Sequence, residues 1–223
     1  MPVYAPQNDQ GRPLVLVLSG EAGWRSFDEM LAGFLRREGF WVGGVDCMKY
    51  FWRPQDDRKA LASDVRIYAD ALARRSGHPE DSEIILAGFS FGADLAPWIA
   101  GAEGWGNRIA GLVMIGPDEE GSLEFRVTEL MGFSSKDHIF RVADVLGSAR
   151  GIPLLFLHGS GDSSSAAVLL ARNAPEPRKL LTVSGANHHF SGRELQLRSA
   201  LIEGLQWMLD PAHRERPAAE GSR

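Results

Sequence analysis

The chain has 223 residues, of which 44% are hydrophobic and 24% charged, with a formal net charge of -5. That composition suits a globular chain with one sizeable core and excludes a disordered chain or a membrane bundle. The acidic balance argues against nucleic acid as the main partner, because phosphate binding needs an excess of Lys and Arg.

The polar start, residues 1–11, lacks the charged and apolar regions of a signal peptide. The protein is therefore expected either to stay in the cytoplasm or to begin after a removed signal. Leu14–Ser19 is a short apolar run ending at Gly20, which reads as a buried parallel strand. Ser26 and Glu29 fit a capping box opening a helix, and Phe27, Met30, Leu31, Phe34 and Leu35 share one face of it. Gly39 ends that helix, and Phe40–Val45 is the next strand. Cys47 is the only cysteine, so no intramolecular disulfide can form and a thiolate-rich zinc site is excluded.

Leu61, Val65, Tyr68 and Leu72 recur at helical spacing up to a stop at Gly77 and Pro79. Ile84–Ala87 is strand-like and runs through Gly88 into an apolar stretch ending near Ile99. Strands at Ile109–Ile115, Pro153–Leu157 and Lys179–Val183 follow, with helices over Ala166–Arg172 and from Arg193 to Leu209. Six strands alternating with helices predict right-handed crossovers and a mostly parallel sheet covered on both faces, in a single domain over residues 1–223. Pro117–Asp137 breaks the rhythm. Its Leu123, Phe125 and Val127 alternate, and Leu130, Met131 and Phe133 follow, so it reads as an edge strand or a small cap, the edge element being preferred. Residues 211–223 form a polar tail expected to fray. No stretch reaches the ~18 apolar residues of a membrane span.

Gly88-Phe89-Ser90-Phe91-Gly92 matches G-x-S-x-G. The five letters alone say little in a glycine-rich chain, but they follow a strand and open a helix, where a nucleophile elbow belongs. Two glycines allow the sharp turn and the close approach of helix to strand that expose the Ser90 hydroxyl. A plain strand-to-helix turn with Ser90 as a cap is the alternative. A serine needs a base and an orienting acid, which in α/β hydrolases follow it in the order Asp/Glu, then His. Asp162 follows strand Pro153–Leu157 and the pair His188-His189 follows Lys179–Val183, each at the carboxyl end of its strand. Three such placements predict an α/β-hydrolase fold with Ser90, Asp162 and His188 as the triad, needing no cofactor. Asp162 could instead be a turn residue, and either histidine could lie at the surface or hold a metal. No Asp, Glu or Cys stands at ligand spacing beside the pair, so no metal site is expected, and His189 is expected to brace the loop or touch substrate.

The oxyanion would be held by the backbone N–H of Phe91 and one from the loop Ser19–Trp24, with Glu21 as the natural second donor. Glu21, Asp46 and Asp94 are candidates for an acidic rim that holds a cationic group, although solvated or capping carboxylates are the plainer expectation. Tyr50-Phe51-Trp52 is unusually aromatic for a loop and would line an acyl pocket, dip into a lipid interface, or pack beneath the loop.

Leu18-Ser19-Gly20-Glu21-Ala22-Gly23-Trp24, Val45-Asp46 through Trp52, Gly88 through Asp94 and the His-His-Phe loop together resemble the bacterial VirJ/AcvB virulence-protein family, over about Leu14 to Leu209. The resemblance implies a periplasmic serine hydrolase. AcvB-like members remove the amino acid from aminoacyl-phosphatidylglycerol, such as lysyl-phosphatidylglycerol, while VirJ-like members are linked to type IV secretion. By the same resemblance Ser90, Asp162 and His188 are the triad, and Asp46 and Asp94 stand within the family's motifs. These two, with Tyr50, Trp24 and His189, are the candidates for substrate contact. Glu21 stands where Asp is expected. Expected partners are an aminoacylated phospholipid or another ester, the membrane surface and a secretion-system component. A general carboxylesterase or thioesterase and a non-catalytic binding protein of the same fold are the rival readings.

Overall fold

The structure is a computed structural model and describes residues 1–52, 57–123 and 139–214. The central sheet is built on β2 (Leu14–Leu18), β3 (Val42–Val45), β4 (Ile84–Phe89), β5 (Ile109–Ile115), β8 (Leu154–Gly159) and β9 (Arg178–Val183), all parallel in the order β3-β2-β4-β5-β8-β9. β2 reads as a continuous apolar run because both of its faces are covered, and all five residues are at most 1% exposed. Each such side chain contributes about 1.5–3 kcal/mol on burial.

The expectation of six strands falls short by one. β1 (Val3–Tyr4) joins the sheet antiparallel to β3, with Val3 opposite Gly43 and Tyr4 opposite Val42. Two residues carry no periodicity, so only pairing with a neighbour reveals the strand.

One face is covered by α1 (Ser26–Arg37) and α7 (Glu194–Leu209), whose Leu31, Phe34, Leu35, Leu197, Leu201 and Leu205 pack with Val15, Val17 and Ile85. The other face is covered by α3 (Arg58–Ser76), α4 (Phe91–Ala100) and α6 (Ala167–Asn173). Two short helices, α2 (Cys47–Tyr50) and α5 (Val142–Leu146), fill connections. No helix among the described residues is long and apolar enough to cross a membrane.

Two local expectations are corrected. The N-cap of α1 is Arg25, not Ser26, and Asp28 rather than Glu29 reaches back, accepting the Arg25 N–H at 2.8 Å. Glu29 accepts instead from Trp24 Nε1 at 2.6 Å. The stretch expected as an edge strand does not join the central sheet where it is described. β6 (Glu120–Ser122) pairs antiparallel with β7 (Ile139–Arg141) in a separate ribbon packed on α4. Residues 124–138, most of the alternative cap, lie outside the described residues, as does the tail from 215.

Candidate active site

The turn between β4 and α4 carries Ser90 at φ 50° and ψ -120°, a backbone conformation that a non-glycine residue rarely adopts. Surrounding contacts enforce it. The Ser90 N–H donates to the Ile115 carbonyl at 2.8 Å, and its own carbonyl accepts from Ala93 at 2.7 Å. The two glycines of the motif permit the crossing. A Cβ at Gly88 would overlap the Gly92 carbonyl, and one at Gly92 would overlap the Leu18 carbonyl. The start of α4 is thereby pressed against the end of β2 and the loop that follows it. Phe91 is the first residue of α4, so its N–H has no acceptor within the helix and faces the end where the dipole is positive.

Asp162 and His188 are brought together from the ends of β8 and β9. His188 Nδ1 lies 2.7 Å from Asp162 Oδ2, and the Asp162 side chain is only 2% exposed. The other oxygen of Asp162 accepts from the Ser164 hydroxyl at 2.6 Å and the Ser164 N–H at 3.1 Å, so both oxygens are oriented. Burial raises the carboxyl pKa, but the hydrogen bonds from Ser164 and His188 and the histidine's charge outweigh it, and the net shift is downward. The two loops are clasped to each other. Gly185 N–H donates to Ser160 Oγ at 2.8 Å and Gly161 N–H to the Ala186 carbonyl at 2.9 Å. Phe190 anchors the histidine loop from below, fully buried at φ 54° with its ring 6.2 Å from Phe27.

Gly116, just past β5, backs the pair. It sits at φ +58°, and a Cβ there would come within 3.1 Å of His188 Cε1 and 3.6 Å of Asp162 Oδ2. Neither Gly116 nor Ser164 was legible as a site residue, because nothing in a Gly-Pro or Ser-Ser pair reveals what packs on it.

Ser90, His188 and His189 line one cleft of ≈ 320 Å³ with Gly20–Gly23, Arg25–Asp28 and Phe89. His189 is exposed, its ring 5.5 Å from Phe89 and 6.5 Å from Phe27. Of the adjacent histidines, His188 is the one held by the acid. Glu21 lies in the cleft wall, in a turn closed by Gly23 N–H to the Gly20 carbonyl at 3.0 Å.

The remaining candidates do not converge there. Trp24, Asp46 and Tyr50 line a separate pocket of ≈ 580 Å³ with Lys49 and Tyr68. Asp46 caps α2 and pairs with Lys49 Nζ at 3.1 Å, and the Tyr50 hydroxyl donates to Asp64 at 2.6 Å. Phe51 is 2% exposed with its ring 5.4 Å from Phe91 and packs beneath the elbow helix, whereas Trp52 is 58% exposed. Asp94 is buried under the β6–β7 ribbon and accepts the Asp118 N–H at 2.8 Å. Burial, with the charges of Asp118 and Glu21, lifts its pKa well above the usual carboxylate value. Glu21, Asp46 and Asp94 thus occupy three places rather than one rim.

Asp118, whose N–H donates to Asp94, lies close enough to the histidine–aspartate pair to feel its charges, and no local motif marks it. It follows β5 at the carboxyl edge of the sheet, the positional signal that singles out Asp162 and the histidine pair. Its pKa is raised by burial and by the charges of Asp162 and Glu21, against the pull of His188. The described residues contain no cluster of His, Cys, Asp and Glu able to hold a metal ion.

Solved structures share this architecture. Est1E from Butyrivibrio proteoclasticus is 16% identical and superimposes with a TM-score of 0.66, covering 93% of both chains. An alpha-beta serine hydrolase homologue from Coxiella burnetii is 17% identical with a TM-score of 0.62 over 91% of this chain and 89% of the other. A serine hydrolase without lid from Xanthomonas campestris is 20% identical with a TM-score of 0.57 over 93% and 88%. At such identities the likeness establishes the fold, which is that of the α/β hydrolases. No curated protein matches the sequence. The family model described as bacterial virulence protein (VirJ) matches residues 13–209, and the chain belongs to that family.

Proposed function

We propose that the protein hydrolyses a carboxylic ester through Ser90, His188 and Asp162, and that its substrate is the aminoacyl ester of an aminoacyl-phosphatidylglycerol such as lysyl-phosphatidylglycerol. The observation that carries the chemistry is the His188–Asp162 pair at 2.7 Å in the same cleft as a serine held at φ 50°. Strain of that kind, about 1–3 kcal/mol, persists where surrounding structure enforces it and clusters at reactive sites. The aminoacyl-lipid substrate is supported by the resemblance to AcvB-like members and by the carboxylates of Glu21 and Asp28 in the cleft wall.

Ser90 Oγ attacks the ester carbonyl carbon while its proton passes to His188 Nε2, Asp162 holding the opposite ring nitrogen and stabilising the imidazolium. The oxyanion is received by the N–H groups of Phe91 and Glu21. The carbon–oxygen bond to the lipid glycerol breaks, and His188 returns the proton to that leaving alkoxide. Water then attacks the acyl-enzyme and gives its proton to His188, which passes it to Ser90 Oγ as the acyl bond breaks and the free amino acid leaves. In this reading the protein works at a membrane surface in the periplasm.

A fluorophosphonate probe and a lipid assay test the two levels separately. Wild type is expected to be labelled and Ser90→Ala not, with hydrolysis falling about 10⁶-fold in the variant. Equal labelling of both, or none of either, overturns the serine mechanism and favours a binding module. Labelling without release of amino acid from lysyl-phosphatidylglycerol retains the hydrolase and removes the proposed substrate.

A further inference from the structure

Asp28, the third residue of α1, is 2% exposed yet lines the cleft that holds Ser90 and His188. Its two oxygens differ. Oδ2 accepts the Arg25 N–H and closes the first helical turn. Oδ1 is buried and has no hydrogen-bond partner among the described residues. Capping does not require a charge here, because an asparagine would present the same acceptor to Arg25. The charges acting most strongly on Asp28 are those of Asp46 and Glu29, both negative.

A buried carboxylate oxygen without a donor, among like charges, is costly and is retained only where something offsets it. Burial first, then those charges, lifts the Asp28 pKa to about 6 against the backbone N–H groups of Arg25 and Asp28. The group therefore remains mostly ionised at neutral pH, with one acceptor buried and unpaired in the wall of the cleft that holds Ser90. A neutral hydroxyl would satisfy the hydrogen bond but leave the charge uncompensated. A cation supplies both.

We propose that Asp28 is the recognition carboxylate of the cleft, taking through Oδ1 a cationic amine on the acyl part of the ester that Ser90 attacks. The assignment rests on the hydrolase reading above and gives the amine of its aminoacyl substrate a specific partner. Glu21, in the same wall, adds negative potential without being buried.

The test is a series of nitrophenyl esters of ω-amino acids of increasing length, each paired with the neutral acyl ester of equal length. The readout is the ratio of kcat/KM, amine over neutral. For at least one length wild type is expected to favour the amine by about 10- to 100-fold, the range for a hydrogen bond to a charged group. Asp28→Asn is expected to bring that ratio to near one. A wild-type ratio near one at every length, or a preference that survives in Asp28→Asn, overturns the proposal. Turnover of the neutral esters, and its loss in Ser90→Ala, reports on the hydrolase reading by itself.

If Asp28→Asn fails to fold, the wild-type pH profile decides. The ratio is expected to fall as pH drops through about 6, where a proton takes the place of the amine on the carboxylate. Facing groups are Arg25 and Glu29 on α1, Asp46 and Cys47 past β3, Tyr4 of β1, and Glu21, His188 and His189 of the cleft. Cys47 and Tyr4, both pushed up to about 12, stay neutral across this range. His188 acts on both esters and cancels in the ratio, and repeating the profile in His189→Gln removes the other imidazole. A ratio flat across about pH 5 to 8 would sink the assignment.

Discussion

Two hollows lie on either side of the Gly23–Trp24 segment, and their polar groups are treated in opposite ways. In the pocket behind Trp24 the side chains of Trp24, Asp46, Lys49 and Tyr50 are all paired. Asp46 pairs with Lys49, Tyr50 donates to Asp64, and Trp24 Nε1 donates to Glu29 and to the Tyr4 hydroxyl. In the Ser90 cleft, valences are left open: a serine at positive φ, first-turn N–H groups at the start of α4, and the unmet Oδ1 of Asp28. The first pocket has the more distinctive sequence, with its run of aromatics and its aspartate. The comparison teaches that aromatic and acidic motifs can serve packing, whereas unsatisfied groups and enforced strain mark where a ligand is awaited.

If the cleft is the reactive hollow, disturbing it should cost far more turnover than disturbing its neighbour. The largest effect is expected from Asp162→Asn, which keeps the shape but lets His188 settle in the wrong tautomer. Ester kcat should fall about 10⁴-fold, with Ser90 still present. A loss below tenfold would remove Asp162 from the triad. Next is Gly116→Ala. The added Cβ meets His188 at 3.1 Å from a backbone at φ +58°, and a histidine displaced by about 1 Å should lower kcat about 10²-fold. Unchanged kinetics would show that the ring is not held where the contact implies. The smallest effect belongs to the other hollow. Asp64→Ala removes the acceptor of the Tyr50 hydroxyl, and a cost of about 1 kcal/mol should lower Tm by about 2–4 °C while nitrophenyl ester turnover stays within twofold. A large fall in turnover would mean the two hollows work together.

Much of the frame was legible because its signals are local. The apolar run at Leu14–Leu18 and the glycine spacing around Ser90 dictate a buried strand and a sharp turn wherever they occur. Asp162 and the histidine pair were found by position, since each follows a strand at the edge where parallel sheets expose their loops. The same logic applied to β5 would have found Asp118. The helix start at Ser26 was misread because Ser-x-x-Glu fits a capping box on paper, whereas Trp24 competes for Glu29 and Asp28 is the residue turned back toward Arg25.

By itself, then, the sequence determined the alternation of strands and helices, the elbow, and which strand ends could bear catalytic groups. These follow from hydrophobic period, glycine placement and chain order, all of which act over a few residues. Only the tertiary structure decided that Asp162 meets His188 and not His189, that Val3–Tyr4 completes the sheet, that Asp46 and Tyr50 turn away from Ser90, and that Asp28 is buried with one oxygen unmet. Those facts depend on burial and on who stands opposite whom. Both are set by segments far apart in the chain once they pack, and neither is written in the residues nearby.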